Sequence, residues 1–366
     1  MTTHLREGFT TGTAAAAAAK AGVLALVGGW RGAVMDTPTP RAGRLSIPIA
    51  ALEPEGDAIR VSVTKDGGDD PDATHGATIC ALVRLLPDGP RGEVRLEGGT
   101  GVGRVTLPGL PIPPGQAAIN PAPRQQIADA VREAMDETNF CGAVDVTIEV
   151  PGGEAIAAHT MNGRLGIVGG ISILGTRGTV RPYSHESYEA SINQALSVAR
   201  AAGHHTIALS TGGRTERLLL TDRPEIPRIA SVQIADFFAS SLRGARQYGM
   251  TRVVIGCFFG KLVKMAQGYE YTHAKDNRID FDLLAKWCRQ AGAQPGHARD
   301  IAGANTARHA LEILVNDAHK NAIVTAIAHR ALRAALSLAG PGIRIDYHVY
   351  DFDSTRLCHV TSEDAS

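Results

Sequence analysis

Residues 206–216 read TIALSTGGRTE, and residues 252–264 read RVVIGCFFGKLVK. In each stretch an apolar run of strand length ends in glycines and a cationic side chain. Patterns typical of helices precede the two runs at residues 184–202 and 231–248, and another apolar run lies at residues 343–349. Because alternating helices and apolar strands are typical of a parallel sheet covered by helices, we predict an α/β domain here.

The first half of the chain has a different pattern. Thr13, followed by the alanine-rich run 14–26, predicts a helix that the threonine hydroxyl caps. Short alternating runs between residues 44 and 104, separated by Gly, Pro and Asp, predict strands of a half-buried sheet. A proline-rich loop, a helix near residues 124–137 and a strand near residues 144–150 complete an α+β pattern.

The length and these patterns together favour two domains. The chain has 366 residues, and domains usually have roughly 100–200. We predict an amino-terminal α+β domain over residues 1–183, followed by a carboxy-terminal α/β domain with a small parallel sheet over residues 184–366. A long helical tract at residues 305–339 belongs to the second domain, since apolar side chains recur there at helical spacing.

Composition excludes several classes of protein. Lysine plus arginine and aspartate plus glutamate number 37 each, so no net field attracts nucleic acid or an anionic membrane. The five cysteines are scattered and include no Cys-x-x-Cys pair, which argues against a disulfide framework and a structural zinc site. No uncharged apolar run approaches the roughly 18 residues of a membrane span. We expect a cytoplasmic protein without nucleic-acid or membrane partners, and a homo-oligomer is compatible with the sequence.

The ends of the two apolar runs form the candidate cofactor site. Ligands bind at the carboxyl edge of an open parallel sheet, where glycines let the backbone approach and an arginine can bind an anion as a fork. The candidate residues are Thr211, Gly212, Gly213, Arg214, Gly256, Gly260 and Lys261. The alternative is an ordinary turn from strand to helix, with Lys261 as a surface charge.

A glycine-rich stretch at residues 97–103, EGGTGVG, resembles a nucleotide-binding turn. A turn of that kind must open a helix, whereas residues 104–108 continue as strand and proline-rich loop. We therefore interpret it as a structural glycine turn.

Two further groups of polar residues carry functional hypotheses. Thr10, Thr11 and Thr13 gather hydroxyls at a helix amino-terminus, which suits an anion, although helix capping explains at least one of them. Four aspartates and a histidine lie at residues 65–76, where a general base is the functional interpretation and a solvated turn is the alternative.

A third group lies in the glycine-rich segment before the domain boundary. Gly169 and Gly170 permit close approach by a ligand or by backbone, and Thr176, Arg177 and Arg181 follow them. The two arginines would suit a ligand that carries carboxylates. An interdomain hinge is the competing interpretation.

Several stretches together resemble one family, the cobalt-precorrin-5B methyltransferases (CbiD). They lie in the order of the family at residues 9–15 (FTTGTAA), 65–76, 101–106, 119–121, 169–176, 235–237 (ADF), 260–264 (GKLVK) and 272–273 (TH). The resemblance covers most of the chain up to about His273, and the last quarter contributes little to it. Where the family usually has cysteine this chain has Ala14, and where it often has histidine this chain has Cys257.

The resemblance implies methyl transfer to ring carbon 1 of cobalt-precorrin-5B, giving cobalt-precorrin-6A in anaerobic cobalamin biosynthesis. S-adenosylmethionine is then the methyl donor, and cobalt enters only as part of the tetrapyrrole substrate. We expect the donor at the strand ends of the second domain. The macrocycle is expected in an interdomain cleft lined by the Thr10 loop, the loop 69–75 and the segment 169–181. If carbon 1 must be activated by deprotonation, Asp69, Asp70 and His75 are the candidate bases.

Two other functions remain open on the residues alone. A nucleotide-dependent oxidoreductase would use the same α/β crevice and would bind a nicotinamide cofactor instead of S-adenosylmethionine. A non-catalytic tetrapyrrole carrier would use the arginines and small-residue surfaces without a second ligand site.

Overall fold

A computed structural model of the chain describes residues 5–363. Two compact units divide the chain, the first ending at Ser184 and the second beginning at His185. From the sequence we expected the boundary after residue 183. The predicted fold class is confirmed, because the first unit is α+β and the second is α/β with a mainly parallel sheet.

The first unit is built on a five-stranded sheet and two long helices. Its helices are α1 (Thr11–Gly28), α2 (Pro121–Glu137) and α3 (Gly153–Ala157). Its strands are β1 (Gly8–Phe9), β2 (Val34–Pro38), β3 (Arg44–Pro48), β4 (Ala51–Glu55), β5 (Ala58–Thr64), β6 (Thr78–Leu86), β7 (Val94–Gly98), β8 (Gly101–Val102), β9 (Arg104–Val105), β10 (Ala143–Glu149), β11 (Ile167–Val168), β12 (Gly170–Ile171) and β13 (Thr179–Val180). The main sheet has the order β4-β5-β6-β10-β7 and is antiparallel except between β10 and β7.

Helix α1 is the core helix of the first unit and packs against α2, β5 and β6. The side chains of Ala14 to Ala19 are fully buried, and a Cβ placed at Gly22 would lie 2.6 Å from Val83 Cγ2. Small residues are therefore needed for the close approach of this helix to the sheet. The predicted cap is wrong by three residues, because Thr10 is the N-cap and its Oγ1 accepts the N–H of Thr13 at 3.2 Å.

The second unit is a parallel sheet with helices between its strands. Its helices are α4 (His185–Ala201), α5 (Gly213–Asp222), α6 (Phe238–Gln247), α7 (Phe259–Ala266), α8 (Phe281–Gln290), α9 (Pro295–Ala302), α10 (Ala307–Leu314) and α11 (Lys320–Ala339). Its strands are β14 (Thr206–Ser210), β15 (Ser231–Gln233), β16 (Arg252–Phe258), β17 (Arg344–Tyr350) and β18 (Arg356–Thr361). The order is β15-β14-β16-β17-β18, in which only the edge strand β18 is antiparallel to its neighbour.

The strand order reverses between β14 and β16. From β14 the chain passes through α5 to β15 on one side, and from β16 it passes through α7 and the later helices to β17 on the other side. In open α/β sheets the ligand crevice forms at such a switch point, outside the carboxyl ends of the strands. The topology therefore places a crevice beside Ser210 and Phe258.

Two predicted helices are wrong in extent. Residues 231–248 begin with the strand β15, and Ala235, at φ +46°, turns the chain before α6 starts. The tract 305–339 is two helices, α10 and α11. Between them the buried Asp317 accepts the N–H groups of Gln294 and His319, which holds the break in place.

Two helices, α1 and α11, are long and apolar enough to span a membrane by length and composition alone, which we did not expect from the sequence. Buried residues make up 78% of the apolar window in α1 and 44% of that in α11. Lys20 within α1 pairs with Glu133 at 3.0 Å and with Glu137 at 2.9 Å. Helix α1 is accordingly a core helix of its unit.

Candidate functional site

A cavity of about 330 Å³ lies at the switch point of the second unit. Five of the seven residues predicted for the cofactor site line it: Thr211, Gly212, Arg214, Gly260 and Lys261. The volume lies within the range of small-molecule sites, roughly 300–1,000 Å³. The strand ends thus come together as the parallel pairing of β14 with β16 requires.

Gly213 and Gly256 are not among the lining residues. Gly213 is the first residue of α5, and Gly256 lies inside β16. A Cβ on Gly256 would come within 3.0 Å of the Leu219 side chain. This glycine therefore allows α5 to pack against the sheet, which corrects its assignment as a ligand contact.

The conformation at Gly212 leaves one side of the cavity open. Its φ of 165° is extended backbone, and a Cβ added there would meet no atom within 4 Å. At Gly260 a Cβ would lie 3.3 Å from the Cβ of Ala307. The backbone N-termini of α5 and α7 begin beside these two glycines, and helix N-termini favour anionic groups.

Two lysines line the cavity, and only one of them is paired with a carboxylate. Lys261 forms an ion pair with Asp236, and the Thr272 hydroxyl donates to the same carboxylate at 2.9 Å. Lys264 is 8% exposed and donates to the carbonyl oxygen of Thr272 at 2.8 Å. Burial lowers the pKa of Lys264, Lys261 lowers it further, and Asp236 opposes the shift. This part of the lining therefore has a surplus of positive charge.

Another part of the lining is aromatic. The rings of Phe258 and Phe352 stack with centroids 4.7 Å apart, and the Arg214 guanidinium lies 5.5 Å from the centre of the Phe258 ring. Arg214 also donates to the carbonyl of Phe352 and, at 3.3 Å, to the hydroxyl of Ser354. Arg214 thus anchors the β17–β18 turn.

Several residues that line or support the cavity were not predicted from the sequence, namely Asp236, Phe258, Lys264, Thr272 and Phe352. Asp236, Lys264 and Thr272 lie in the stretches 235–237, 260–264 and 272–273 that carried the family resemblance. Their position in these stretches was the only indication in the sequence that the three residues matter, and it did not indicate what they do. Phe352 gave no signal in the sequence.

In the first unit, the loop between β5 and β6 holds its acidic groups through internal contacts. Asp69 accepts the N–H of Arg6 at 2.7 Å, and Asp70 accepts that of Tyr183 at 2.9 Å. The Gly67 N–H donates to His75 Nδ1 at 3.0 Å, so the neutral imidazole carries its proton on Nε2. All three predicted bases lie in one loop, and half of the His75 side chain is exposed.

The other aspartates of this loop are structural. Lys65, whose side chain is 1% exposed, forms an ion pair with Asp72 at 2.6 Å. Burial alone would raise the pKa of Asp72, but this ion pair and the hydrogen bonds from Thr74 lower it. Hydrogen bonding to Arg6 and to the Gly68 N–H lowers the pKa of Asp66 to about 2. Cations and backbone amides thus relieve the expected repulsion.

The three threonine hydroxyls point inward. Thr11 Oγ1 donates to the carbonyl of Leu174 at 3.1 Å and accepts its N–H at 2.9 Å. Thr13 Oγ1 donates to the carbonyl of Gly178 at 2.9 Å. Thr10, Thr11 and Thr13 are at most 5% exposed. Their predicted role in contacting substrate is corrected, since they fix the segment 174–178 to the start of α1.

The segment 169–181 includes the residues that these threonines bind, and it carries several polar side chains. Gly169 and Thr176 are exposed, Arg177 is half-buried, and Arg181 pairs with Glu7 at 3.0 Å. Gly170 is buried, and a Cβ there would lie 2.1 Å from the carbonyl oxygen of Gly101, so this glycine allows close backbone packing. Strand β13 pairs with β1, which brings this segment beside Asp66 to Asp70.

The glycine-rich stretch 97–103 is a turn, as we interpreted it. Gly101 has φ +74°, and a Cβ there would lie 1.9 Å from the carbonyl oxygen of Val150. The two-residue strands β8 and β9 follow, and no helix opens at this point. Across residues 5–363, no group of three or more His, Cys, Asp or Glu side chains is arranged to hold a metal ion.

By its strand order the second unit is a doubly wound α/β domain, and it has a cavity at the switch point of its sheet. A family model described as CbiD matches residues 1–182, and one described as the CbiD C-terminal domain matches residues 271–361. The chain belongs to the CbiD family. The match to residue 361 also corrects our view that the last quarter adds little.

Three relatives share the name cobalt-precorrin-5B C(1)-methyltransferase. The protein of Nitratidesulfovibrio vulgaris is 52% identical, with 96% of this chain and 92% of the relative covered. The protein of Geobacillus kaustophilus is 42% identical, with 96% of this chain and 94% of the relative covered. The protein of Thermus thermophilus is 46% identical, with 85% of this chain and 82% of the relative covered. A crystal structure of the cobalamin biosynthesis protein CbiD from Archaeoglobus fulgidus is 31% identical, covers 71% of this chain and 79% of its own, and has a TM-score of 0.40.

Proposed function

We propose that this chain methylates cobalt-precorrin-5B at ring carbon 1 to give cobalt-precorrin-6A, in the anaerobic route to cobalamin (vitamin B12). The name shared by relatives of up to 52% identity supports this reaction. Neither an oxidoreductase nor a carrier finds support among these relatives. A cytoplasmic location belongs to the same proposal, and the free state of all five cysteines is compatible with it.

The methyl donor in this proposal is S-adenosylmethionine, bound in the cavity at the switch point of the second unit. The position of that cavity is the observation that carries the proposal. The donor combines an aromatic base, a ribose, a sulfonium and an amino-acid carboxylate. Phe258 and Phe352 offer an aromatic surface for the base, while Lys261 and Lys264 offer cations for the carboxylate.

The main catalytic task of the chain is to align two reactants. The sulfonium is already a good leaving group, so the carbon nucleophile needs to meet the methyl group in line at a separation of roughly 3–3.5 Å. Holding both partners supplies up to about 7–11 kcal/mol in favourable cases.

For the first unit we propose the loop residues Asp69, Asp70 and His75 as candidates to take a proton from the macrocycle. Since His75 Nδ1 already accepts a hydrogen bond, the two aspartates suit the role of base better than the neutral imidazole does. Gly169, Thr176, Arg177 and Arg181 remain the proposed substrate segment, whereas Gly170 packs against the backbone of Gly101. Of these, the two arginines match the carboxylates of the macrocycle.

Gly212→Leu tests the donor site. The added side chain enters open space without backbone strain and occupies the cavity, so the affinity for S-adenosylmethionine should fall at least tenfold while the protein stays folded. Isothermal titration calorimetry measures the affinity. The matched control is Gly296→Leu in α9, where a Cβ also meets nothing within 4 Å but which does not line the cavity. Equal affinity in the two variants would reject this site.

A further inference from the structure

Five rings form a cluster on the second unit. His185 and Tyr188 come from α4, Phe237 precedes α6, and Tyr271 and His273 lie in the loop between α7 and α8. Phe237 stacks on Tyr188 with centroids 4.9 Å apart, and it meets Tyr271 edge to face at 5.2 Å. The ring of His273 stacks on Tyr271 at 5.9 Å. Nothing in the proposed function so far uses these rings.

The cluster adjoins the donor cavity through the chain itself. Phe237 follows Asp236, and Tyr271 and His273 flank Thr272; Asp236 and Thr272 are the two residues that hold Lys261. Ala274, the next residue after His273, lines the cavity. The ring of His273 therefore lies one residue along the chain from the lining of the cavity.

His273 has the arrangement of a metal-binding imidazole. Its Nδ1 lies 3.1 Å from Asp276 Oδ2, and 40% of the side chain is exposed. Metal-ligating histidines usually donate the other ring N–H to a carboxylate in this way, which keeps the proton off Nε2. Within residues 5–363 the structure shows no partner for His273 Nε2. In contrast, Nε2 of His185 is bonded to the Tyr271 hydroxyl at 3.1 Å.

Two cationic side chains lie in the same loop as this imidazole. Lys275 and Arg278 lie in the same loop, both are exposed, and neither side chain forms an ion pair with another described residue. A macrocycle fringed with carboxylates would find counter-charges there. In this loop the two cationic side chains match the carboxylates of the substrate, and the imidazole of His273 matches the metal at its centre.

We propose that His273 Nε2 is an axial ligand of the substrate's cobalt. The lone pair of the neutral imidazole is donated to the metal, and a solvent ligand leaves. This inference rests on the proposed function. In the macrocycle a single ring nitrogen separates the cobalt from carbon 1, so a ligand that fixes the cobalt also fixes the reacting carbon relative to the donor. Tyr271 and Asp276 hold the plane of the imidazole from two sides.

Electron paramagnetic resonance tests the bond directly. The wild-type chain is loaded anaerobically with the cobalt(II) form of cobalt-precorrin-5B, and binding is verified after gel filtration. One axial ¹⁴N ligand splits each cobalt hyperfine line into three. Protein grown with ¹⁵N-labelled histidine should give two lines instead of three, which identifies the nitrogen as that of a histidine.

Variants then assign the histidine. His273→Phe keeps a ring against Tyr271 and should lose the splitting, while its affinity for S-adenosylmethionine stays within twofold of wild type. His309→Phe, at an exposed position on α10, is the control and should retain the splitting. Added imidazole should restore the three lines in His273→Gly.

The contrary results are distinct for the two proposals. A wild-type chain that transfers methyl groups but shows no nitrogen splitting overturns the cobalt ligand and leaves the proposed function standing. Splitting that persists in His273→Phe also overturns it. A wild-type chain that neither binds nor methylates cobalt-precorrin-5B contradicts the proposed function itself.

Discussion

Among single residues, His348 of β17 couples the stability of the second unit to pH. Its side chain is 3% exposed and its Nε2 is buried with no hydrogen-bond partner among the described residues. Burial lowers the pKa of His348 to about 4; Asp222 of α5 opposes this shift, while His359 of β18 and Arg223 add to it. The imidazole is therefore neutral in the folded protein at pH 7.

The sign of the pH effect follows from this pKa. An unfolded histidine binds a proton near pH 6.5, so between pH 6.5 and about 4 the unfolded chain binds more protons than the folded one. We predict that the free energy of unfolding falls by up to about 3 kcal/mol as the pH is lowered from 6.5 to about 4. Urea unfolding at pH 7, 6 and 5 measures it. His348→Leu should lose most of this dependence; the same slope in both proteins would refute the assignment.

Lys264 shows a second effect at this scale. Its ammonium is almost buried, yet its hydrogen-bonded partner is a carbonyl oxygen instead of a carboxylate. Burying an ammonium without a counter-ion is unfavourable, which is why its pKa is lowered. An anionic group of a bound ligand would supply the missing charge, in agreement with the proposed carboxylate contact.

Among the elements, the start of α1 is held by hydroxyl groups. Thr11→Val preserves shape but leaves both the N–H and the carbonyl of Leu174 without the Thr11 hydroxyl. We predict a loss of about 1–3 kcal/mol in the free energy of unfolding. Thr11→Ser, which keeps the hydroxyl, is the control and should lose less. Equal stability of Thr11→Val and wild type, measured by urea unfolding, would contradict the anchoring role.

The elements also show where sequence reasoning succeeds. Strands β14 and β16 were predictable because each is a short apolar run, as is typical of buried parallel strands, and a glycine follows two residues after its end. Strand β15 has only three residues, Ser231–Gln233, which is too short for a recognisable sequence pattern. It forms because it pairs with β14. The break before α11 depends on the hydrogen bond between Asp317 and Gln294, which lies 23 positions away, and sequence periodicity carries no information on such a contact.

The candidate site was predictable to a similar degree. The rule for strand ends found Thr211, Gly212 and Lys261, since each lies within three residues after the end of a strand of the sheet. Phe352 and Arg214 are 138 residues apart in the chain, and only the folded sheet brings them together. The threonines were misassigned because a hydroxyl at a helix start looks the same in sequence whether it faces solvent or another segment.

In the whole molecule, net charge gives no guidance to a ligand. The 37 basic and 37 acidic residues cancel, and local groups such as Arg214, Lys261 and Lys264 must recognise any anion. The two family models match residues of both units, 1–182 in the first and 271–361 in the second. The proposed function accordingly assigns one reaction to the full chain, and it places the donor in the second unit.

The most direct test of that assignment is an anaerobic incubation of the full chain with cobalt-precorrin-5B and S-adenosylmethionine carrying a labelled methyl group. Mass spectrometry and carbon NMR read the mass and the position of the label. We predict a single labelled methyl group at ring carbon 1, formed at least tenfold more slowly by Gly212→Leu at low donor concentration than by Gly296→Leu. Folded protein that binds the macrocycle but leaves it unlabelled would contradict the assignment.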